Sequence, residues 1–199
     1  MDTDPADSTL VPVLPLPEIC LFPGASLAVV VTRPAALAAL QIAARTGGPL
    51  LALAQREGAS GPRDLPAIGT LASLREIQEI APLEHRAELD GLSRAQVLSL
   101  VGSDLLVAEV TPLSDGDASE EWGPAVEALA RYLHGHADLR VFLDQQPRSG
   151  DAMSWVNLAC QHLPIAASAR QKLLEATAAE RCTKIGRGLD ALLRKEHAP

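Results

Sequence analysis

The sequence predicts an α+β protein in which a β-rich region is followed by a helical one. Short apolar runs separated by proline and glycine fill residues 10–113, a pattern typical of strands and tight turns. From 122 to 199, apolar residues instead recur at helical spacing. The segment between them, 114–121, is acidic and built of small residues, so we expect a linker there. Residues 1–9 are polar and predict a disordered tail.

Proline and glycine indicate where the elements of the first region begin and end. Pro12 and Pro15 lie inside the first apolar run, and because proline donates no ladder hydrogen bond, that run should be an edge strand. A helix should begin near Pro34 and end at Gly47. The expected strands are Leu10–Leu16, Leu27–Val31, Leu50–Ala54, Gln96–Val101 and Leu105–Val110, the last two joined in a hairpin by Gly102-Ser103-Asp104.

One segment of the first region departs from the strand pattern. Its apolar residues recur at every third position, which on periodicity alone favours a helix. They are Ile68, Leu71, Leu74, Ile77 and Ile80.

The second region predicts four amphipathic helices. Asp151 is a good N-cap for the second of them, and Leu163-Pro164 should end that helix. The predicted helices are Trp122–Leu133, Ala152–His162, Ala166–Ala178 and Glu180–Lys195.

Composition excludes several classes of function. The net charge is −8 and aromatic residues make up 3% of the chain, so neither a phosphate-tracking patch nor base-stacking platforms are indicated, and nucleic acid is an unlikely partner. The three cysteines have no CxxC spacing, which argues against a zinc knuckle or a disulfide framework. No signal peptide or membrane span is visible, so we expect a cytoplasmic protein with no membrane partner.

The sequence shows no motif for catalysis or for a cofactor. The phosphate-binding patterns GxxxxGK[ST] and GxGxxG are absent, as is the GxSxG turn of a serine nucleophile. His134 and His136 flank a glycine, with Asp138 close by, but a helix C-terminus accounts for histidines there without a metal. We therefore expect no enzyme activity, no metal and no cofactor.

The opening of the chain resembles the N-terminal domain of Lon proteases. The resemblance rests first on residues 11–24, VPVLPLPEICLFPG, and covers roughly Leu10 to Leu193. Pro17 is a departure, because the family often has arginine there. Later matching segments are Leu50–Gln55, Ile68-Gly69-Thr70, Asp90–Arg94, His162-Leu163-Pro164 and Arg170–Glu175.

The resemblance implies a twisted pseudo-barrel β-domain, related to PUA-like domains and containing one helix, followed by a C-terminal helical bundle. It also implies a long, bent strand over residues 69–79, against the helical periodicity. The family's function implies recognition of unfolded or damaged polypeptides. We expect the ATPase module and the Ser–Lys protease module of full Lon to be missing, which leaves a non-catalytic module for unfolded or partner polypeptides.

The candidate binding residues are apolar. Ile19, Leu21 and Phe22 precede the Pro23-Gly24 turn, and such residues are either a core plug or an exposed contact loop. As anchors for a bound polypeptide we choose these three together with Trp122, near the linker. An RNA-binding PUA-like module and a small-ligand-binding protein are the alternatives, and weak homo-oligomerisation stays open.

Overall fold

The computed structural model describes residues 8–56, 61, 64–116, 119–145 and 152–196. It divides into two compact units, Met1–Ser114 and Asp115–Pro199, which we call the barrel unit and the helical unit. The barrel unit contains β1 (Thr9–Pro17), β2 (Ser26–Val31), α1 (Pro34–Thr46), β3 (Leu50–Gln55), β4 (Ile68–Ala81), β5 (Glu84–Val101) and β6 (Val107–Pro112). The helical unit contains α2 (Ser119–His134), α3 (Ala137–Gln145), α4 (Ala152–His162), α5 (Ala167–Glu175) and α6 (Ala178–Glu196).

Five strands close into a barrel, and the sixth lies beside it. The sheet runs β2-β5-β4-β3-β1-β6, and β6 pairs back to β5, so β1, β3, β4, β5 and β6 form a closed ring. Strand β2 pairs with the first part of β5, before the part that pairs with β6. We call β2, residues 73–81 of β4 and residues 84–90 of β5 the arm. The pseudo-barrel expected from the resemblance is therefore confirmed, as is the helical C-terminal part.

Strand β1 is not the edge strand that its prolines predict. Residues Thr9–Pro12 pair with β6, whereas Val13–Pro17 pair in parallel with β3. Within the described part of the chain, each half of β1 therefore pairs with another strand on only one of its two sides. Prolines are tolerated in β1 because not every backbone position there has to donate a ladder hydrogen bond. The position of edge strand belongs to β2 instead.

The helical interpretation of residues 68–80 is wrong, and the long strand that the resemblance implies is correct. Leu74 lies opposite Leu89 and Ile77 opposite Ala87, so a spacing of three in β4 corresponds to a spacing of two in β5. The register shift comes from Arg75, which is an extra residue in β4. Such a bulge keeps both apolar residues on one face and produces the helix-like period.

The segment between β1 and β2 folds back onto the barrel. The buried Thr70 hydroxyl donates to the carbonyl oxygen of Leu21 over 2.5 Å. Gly91 lies so close that an added Cβ would be 2.2 Å from the Phe22 carbonyl oxygen, a position only glycine can take. The backbone N–H of Gly24 in turn donates to the Gly91 carbonyl. These contacts hold the segment against β4 and β5.

Small and branched aliphatic side chains fill the barrel interior, as the low aromatic content requires. Helix α1 covers β1, β3 and β4 with its alanine-rich face and ends at Gly47, whose φ of 65° is left-handed, as predicted from the glycine. The central buried cluster consists of Val11, Val13, Leu51, Leu53, Ala95, Ala108 and Val110.

The helical unit is organised around a buried guanidinium. Arg181 is fully buried and donates to the side chains of Asn157 and Asp115, at 2.5 and 3.0 Å. It also donates to the carbonyl oxygens of Leu173 and Ala176. The cation therefore links the segment before α2 with α4, α5 and the start of α6.

The helix bounds of this unit differ from the sequence-based ones in two ways. Helix α3 was not predicted, and α2 begins at Ser119, inside the segment expected to be a linker. The proposed N-cap Asp151 lies outside the described residues. Helix α6 begins with a capping box, in which Thr177 and Glu180 bond to each other's backbone N–H.

We expect Thr70→Val to destabilise the barrel unit by about 1–3 kcal/mol, because the buried Leu21 carbonyl loses its hydroxyl donor while shape is kept. Thr46→Val is the matched control, since the Thr46 hydroxyl bonds the Ile42 carbonyl in an exposed position. Its effect should stay within about 0.5 kcal/mol. Urea unfolding of both variants measures the difference, and equal shifts would contradict the anchoring role of Thr70.

Arg181→Met should cost about 3–5 kcal/mol, because it removes a buried cation from an array of acceptors that were desolvated to receive it. The control is Arg131→Met, which breaks an ion pair with Asp190 whose side chains are 55% and 45% exposed. That change should cost about 1 kcal/mol or less. Loss of helical circular dichroism on heating reports both, and an Arg181 variant as stable as the control would refute the role of this cation.

Candidate binding surface

The structure buries two of the four residues chosen from the sequence. Leu21 is 1% exposed and Phe22 is 0% exposed, so the expectation that they form an exposed contact loop is wrong. The physical reason is the docking of their backbone on Thr70 and Gly91, which turns both side chains into the core. They serve as the core plug that was the other interpretation of this motif.

The other two predicted residues remain accessible. Ile19 is half-buried, in the segment that leaves β1. Trp122 is 37% exposed and lies in the first turns of α2, in the helical unit. Ile19, Leu21 and Phe22 are near neighbours in the chain but do not together form a surface, since two of them point inward.

Three of the exposed large apolar residues belong to the far end of the arm. Val30 is 59% exposed, Ile80 49% and Leu83 76%. Pairing places Val30 beside Arg86, and Arg86 beside Gln78, in one row across β2, β5 and β4. Ile80 follows Gln78 by two residues and is an extra residue in β4, while Leu83 lies in the turn between β4 and β5. We call Val30, Ile80 and Leu83 the arm patch.

Leu83 has a left-handed backbone conformation, which leucine rarely adopts. The loop between β4 and β5 has two residues, Pro82 and Leu83, and Leu83 has a φ of 66°. Glycine ordinarily fills such a position, because a Cβ there costs about 1–2 kcal/mol, and asparagine is tolerated because its short polar side chain hydrogen-bonds locally. An exposed leucine in a strained position points to a role outside the fold.

Two ion pairs lie along the arm: Arg86–Glu88 near the arm patch, and Arg75–Asp90 at the end of the arm next to the barrel. Asp90 receives three bonds from the Arg75 guanidinium, at 2.7, 2.8 and 3.1 Å, and it also accepts the Ser26 hydroxyl. Arg86 pairs with Glu88 at 3.1 Å. These ion pairs lie on the exposed face of the arm and contribute about 1 kcal/mol or less each, so they solvate this face more than they stabilise it.

Strand β2 also offers an open edge. Among the strands that the structure describes, β5 is its only neighbour. An unpaired edge presents a row of backbone N–H and C=O groups to which another extended segment can bind. The arm therefore combines apolar side chains with free backbone positions on β2.

Two sequence features point to this surface, although the sequence-based prediction did not use them. The run Leu27–Val31 predicts a fully apolar strand, yet its alternation leaves Val30 exposed between buried Val29 and Val31. A Pro-Leu pair between two segments of strand-forming residues also indicates a turn with an exposed side chain. The helical interpretation of residues 68–80 concealed that turn.

The described side chains whose pKa is shifted, Cys160, His162 and Cys182, lie in the helical unit. Burial raises the pKa of the Cys160 thiol to about 12, and it also raises the pKa of Cys182, so neither is a ready thiolate nucleophile. Burial and, second, the Arg170 cation lower the pKa of His162. The His136 ring stacks on Tyr132 at 4.0 Å, and its Nδ1 lies 2.8 Å from the Tyr132 carbonyl.

The described residues show neither a metal site nor a membrane-spanning helix. Within them, no three His, Cys, Asp or Glu side chains lie together as a metal site would need. In the same part of the chain, no helix has the length and apolar character needed to cross a bilayer.

The barrel, its arm and the helical unit define the fold class of Lon N-terminal domains. The N-terminal domain of a Mycobacterium avium complex Lon protease matches with a TM-score of 0.70 and 20% identity, over 92% of this chain and 98% of that one. A Lon N-terminal domain protein from Xanthomonas campestris matches with a TM-score of 0.64 and 23% identity, over 89% and 96% of the two chains. At these identities the likeness shows the fold.

The chain belongs to the family described as the ATP-dependent protease La (LON) substrate-binding domain, whose model matches residues 10–190. The Lon protease of Erwinia amylovora is 23% identical over 185 residues, which are 88% of this chain and 24% of that protein. The chain spans about a quarter of the length of the curated Lon proteases it matches. The resemblance seen in the sequence is thereby confirmed.

We expect Leu21→Ala to destabilise the barrel unit by about 2–5 kcal/mol, because it opens a cavity under the folded-back segment. Leu92→Ala is the matched control, since Leu92 is 53% exposed at a bulge of β5. Its cost should be about 0.5 kcal/mol. Denaturant unfolding of both distinguishes them, and equal costs would show that Leu21 is not a core residue.

Proposed function

We propose that this chain is a non-catalytic module that binds extended, apolar segments of unfolded polypeptides on its arm. The observation that carries the proposal is Leu83, an exposed leucine kept at a strained turn beside two further exposed apolar residues. Membership of this family supports it, because the family model that matches residues 10–190 describes the substrate-binding domain of Lon.

Binding would use two parts of the arm together. The open edge of β2 would hydrogen-bond to the backbone of an extended segment, which gives affinity for any sequence. Val30, Ile80 and Leu83 would then contact its apolar side chains and bury their own exposed area. Fully burying one such side chain contributes about 1.5–3 kcal/mol, so three of them suffice for a weak and reversible contact.

Unfolded segments fit this surface better than a folded partner does. A folded protein satisfies its own backbone hydrogen bonds, whereas an unfolded chain can present an extended edge and apolar side chains at once. The ion pairs Arg75–Asp90 and Arg86–Glu88 would lie next to the bound segment and remain solvated. Such an arrangement selects for apolar character and not for one sequence.

Three of the sequence-based expectations continue as part of the proposal. Trp122 would be an additional aromatic contact in the helical unit, and Ile19 a minor one in the barrel unit. The open edge of β2 is also where two copies of the chain would pair, as a weak homo-oligomer. The RNA-binding alternative is disfavoured by the net charge of −8.

The decisive variant is Leu83→Asn, because asparagine tolerates the left-handed conformation while it removes the apolar contact. Binding of a fluorescent, reduced and carboxymethylated lactalbumin, which stays unfolded, should weaken about tenfold or more. The thermal midpoint should stay the same or rise, since the strain at the turn is relieved.

Leu10→Asn is the matched control for this experiment, because Leu10 is 69% exposed on the barrel, at the start of β1. It should leave affinity unchanged. A wild-type chain that does not bind the unfolded probe would overturn the function itself. An equal loss of affinity in both variants would instead remove the arm as its site.

A further inference from the structure

The barrel unit has a pocket of about 150 Å³ at the start of α1. A cavity of that size holds one benzene ring or a leucine-sized group. Its apolar walls include Val13 of β1, Leu65 and Leu106. The arm patch contributes no residue to it, so this is a second site, and it does not depend on the function proposed above.

The polar groups of the pocket favour an anion. Arg33, Gln55 and Ser103 line it, and the exposed Arg33 guanidinium donates to the Gln55 side-chain oxygen at 2.9 Å. None of the described lining residues is acidic. Among the described residues that line the pocket, Arg33 is the charged one, so this part of its wall favours negative charge.

Helix α1 begins at this pocket without a cap. Arg33 occupies the N-cap position and supplies no side-chain cap, Pro34 follows it, and the first turn contains no acidic residue. A capping oxygen would accept from the backbone N–H of the second or third helical residue. Those residues are Ala35 and Ala36, and both line the pocket. An oxygen anion placed here would therefore complete the helix and pair with Arg33.

We propose that this pocket binds a carboxylate that carries a single phenyl- or leucine-sized apolar group. The carboxylate would lie between Arg33 and the first turn of α1, with the apolar group between Val13, Leu65 and Leu106. A planar carboxylate matches the two donors of a guanidinium. The volume matches one such apolar group, and the apolar walls disfavour a bare inorganic anion. A free organic acid and the C-terminal residue of a polypeptide share this chemistry.

The test uses the whole chain and titrates phenylacetate against its neutral isostere phenylacetamide, followed by ¹⁵N NMR. Phenylacetate should shift the Ala35 and Ala36 amides, and it should bind at least about tenfold more tightly than the amide. Arg33→Gln should weaken phenylacetate binding about tenfold and leave phenylacetamide binding unchanged, because the first turn of α1 still receives the carboxylate. Arg45→Gln, at the other end of α1, is the control and should change neither affinity.

Two further experiments identify the source of the carboxylate and distinguish this pocket from the arm patch. A short peptide that ends in phenylalanine, tested as the free acid and as the amide, shows whether a chain terminus can enter the pocket. If only the acid binds, the pocket receives polypeptide ends. If neither binds, the pocket receives free organic acids. Leu83→Asn should leave phenylacetate binding intact, so loss of polypeptide binding and loss of pocket binding are distinguishable. Any of three results would overturn the proposal. The first is equal affinity for phenylacetate and phenylacetamide, and the second is an Arg33→Gln variant that binds phenylacetate as the wild type does. The third is no shift of the Ala35 and Ala36 amides.

Discussion

Strand β5 bonds to β2 through its first part, to β6 through its last part and to β4 from Glu84 to Gln96. This one strand, 18 residues long, both closes the barrel and extends beyond it as the backbone of the arm. Gly91 lies where these two parts meet and receives the folded-back segment that contains Leu21 and Phe22. The barrel core, the buried motif and the exposed arm therefore all depend on the pairing of β5.

The arm shows how a protein keeps apolar residues exposed without unrestricted association. Its strand edge is short, since β2 has six residues, and its face carries the pairs Arg75–Asp90 and Arg86–Glu88. Charged side chains and short edges limit pairing with other chains. Apolar residues at bulges and turns, such as Ile80 and Leu83, add contact area without extending the edge. A surface of this kind suits brief contacts with many segments more than a permanent interface.

Arg33 at the pocket beside α1 and Arg181 in the helical unit are both guanidinium groups, but their surroundings differ. Arg181 is buried with a full set of acceptors from Asp115, Asn157 and two carbonyl groups, so its charge is satisfied within the protein and serves stability. Arg33 is exposed beside an uncapped helix start and a cavity, with a neutral partner in Gln55. Among the described residues, the side-chain acceptor of Arg33 is the neutral Gln55 oxygen, whereas the acceptors of Arg181 include the Asp115 carboxylate.

The sequence by itself determined the α+β class, the capped end of α1, strands β2 and β3, the hairpin before β6 and, through the motif at residues 11–24, the family. These features depend on local backbone preferences of proline and glycine and on short-range apolar pattern. Tertiary structure decided the rest. Bulges at Arg75 and Ile80 gave β4 a helix-like period, and pairing on both sides made β1 an interior strand. The approach of Gly91 to the Phe22 backbone buried the residues chosen as the binding site, because the orientation of a turn depends on partners far away in the chain. Exposure of Val30 and Leu83, and the pocket beside Arg33, likewise arise only when distant strands meet.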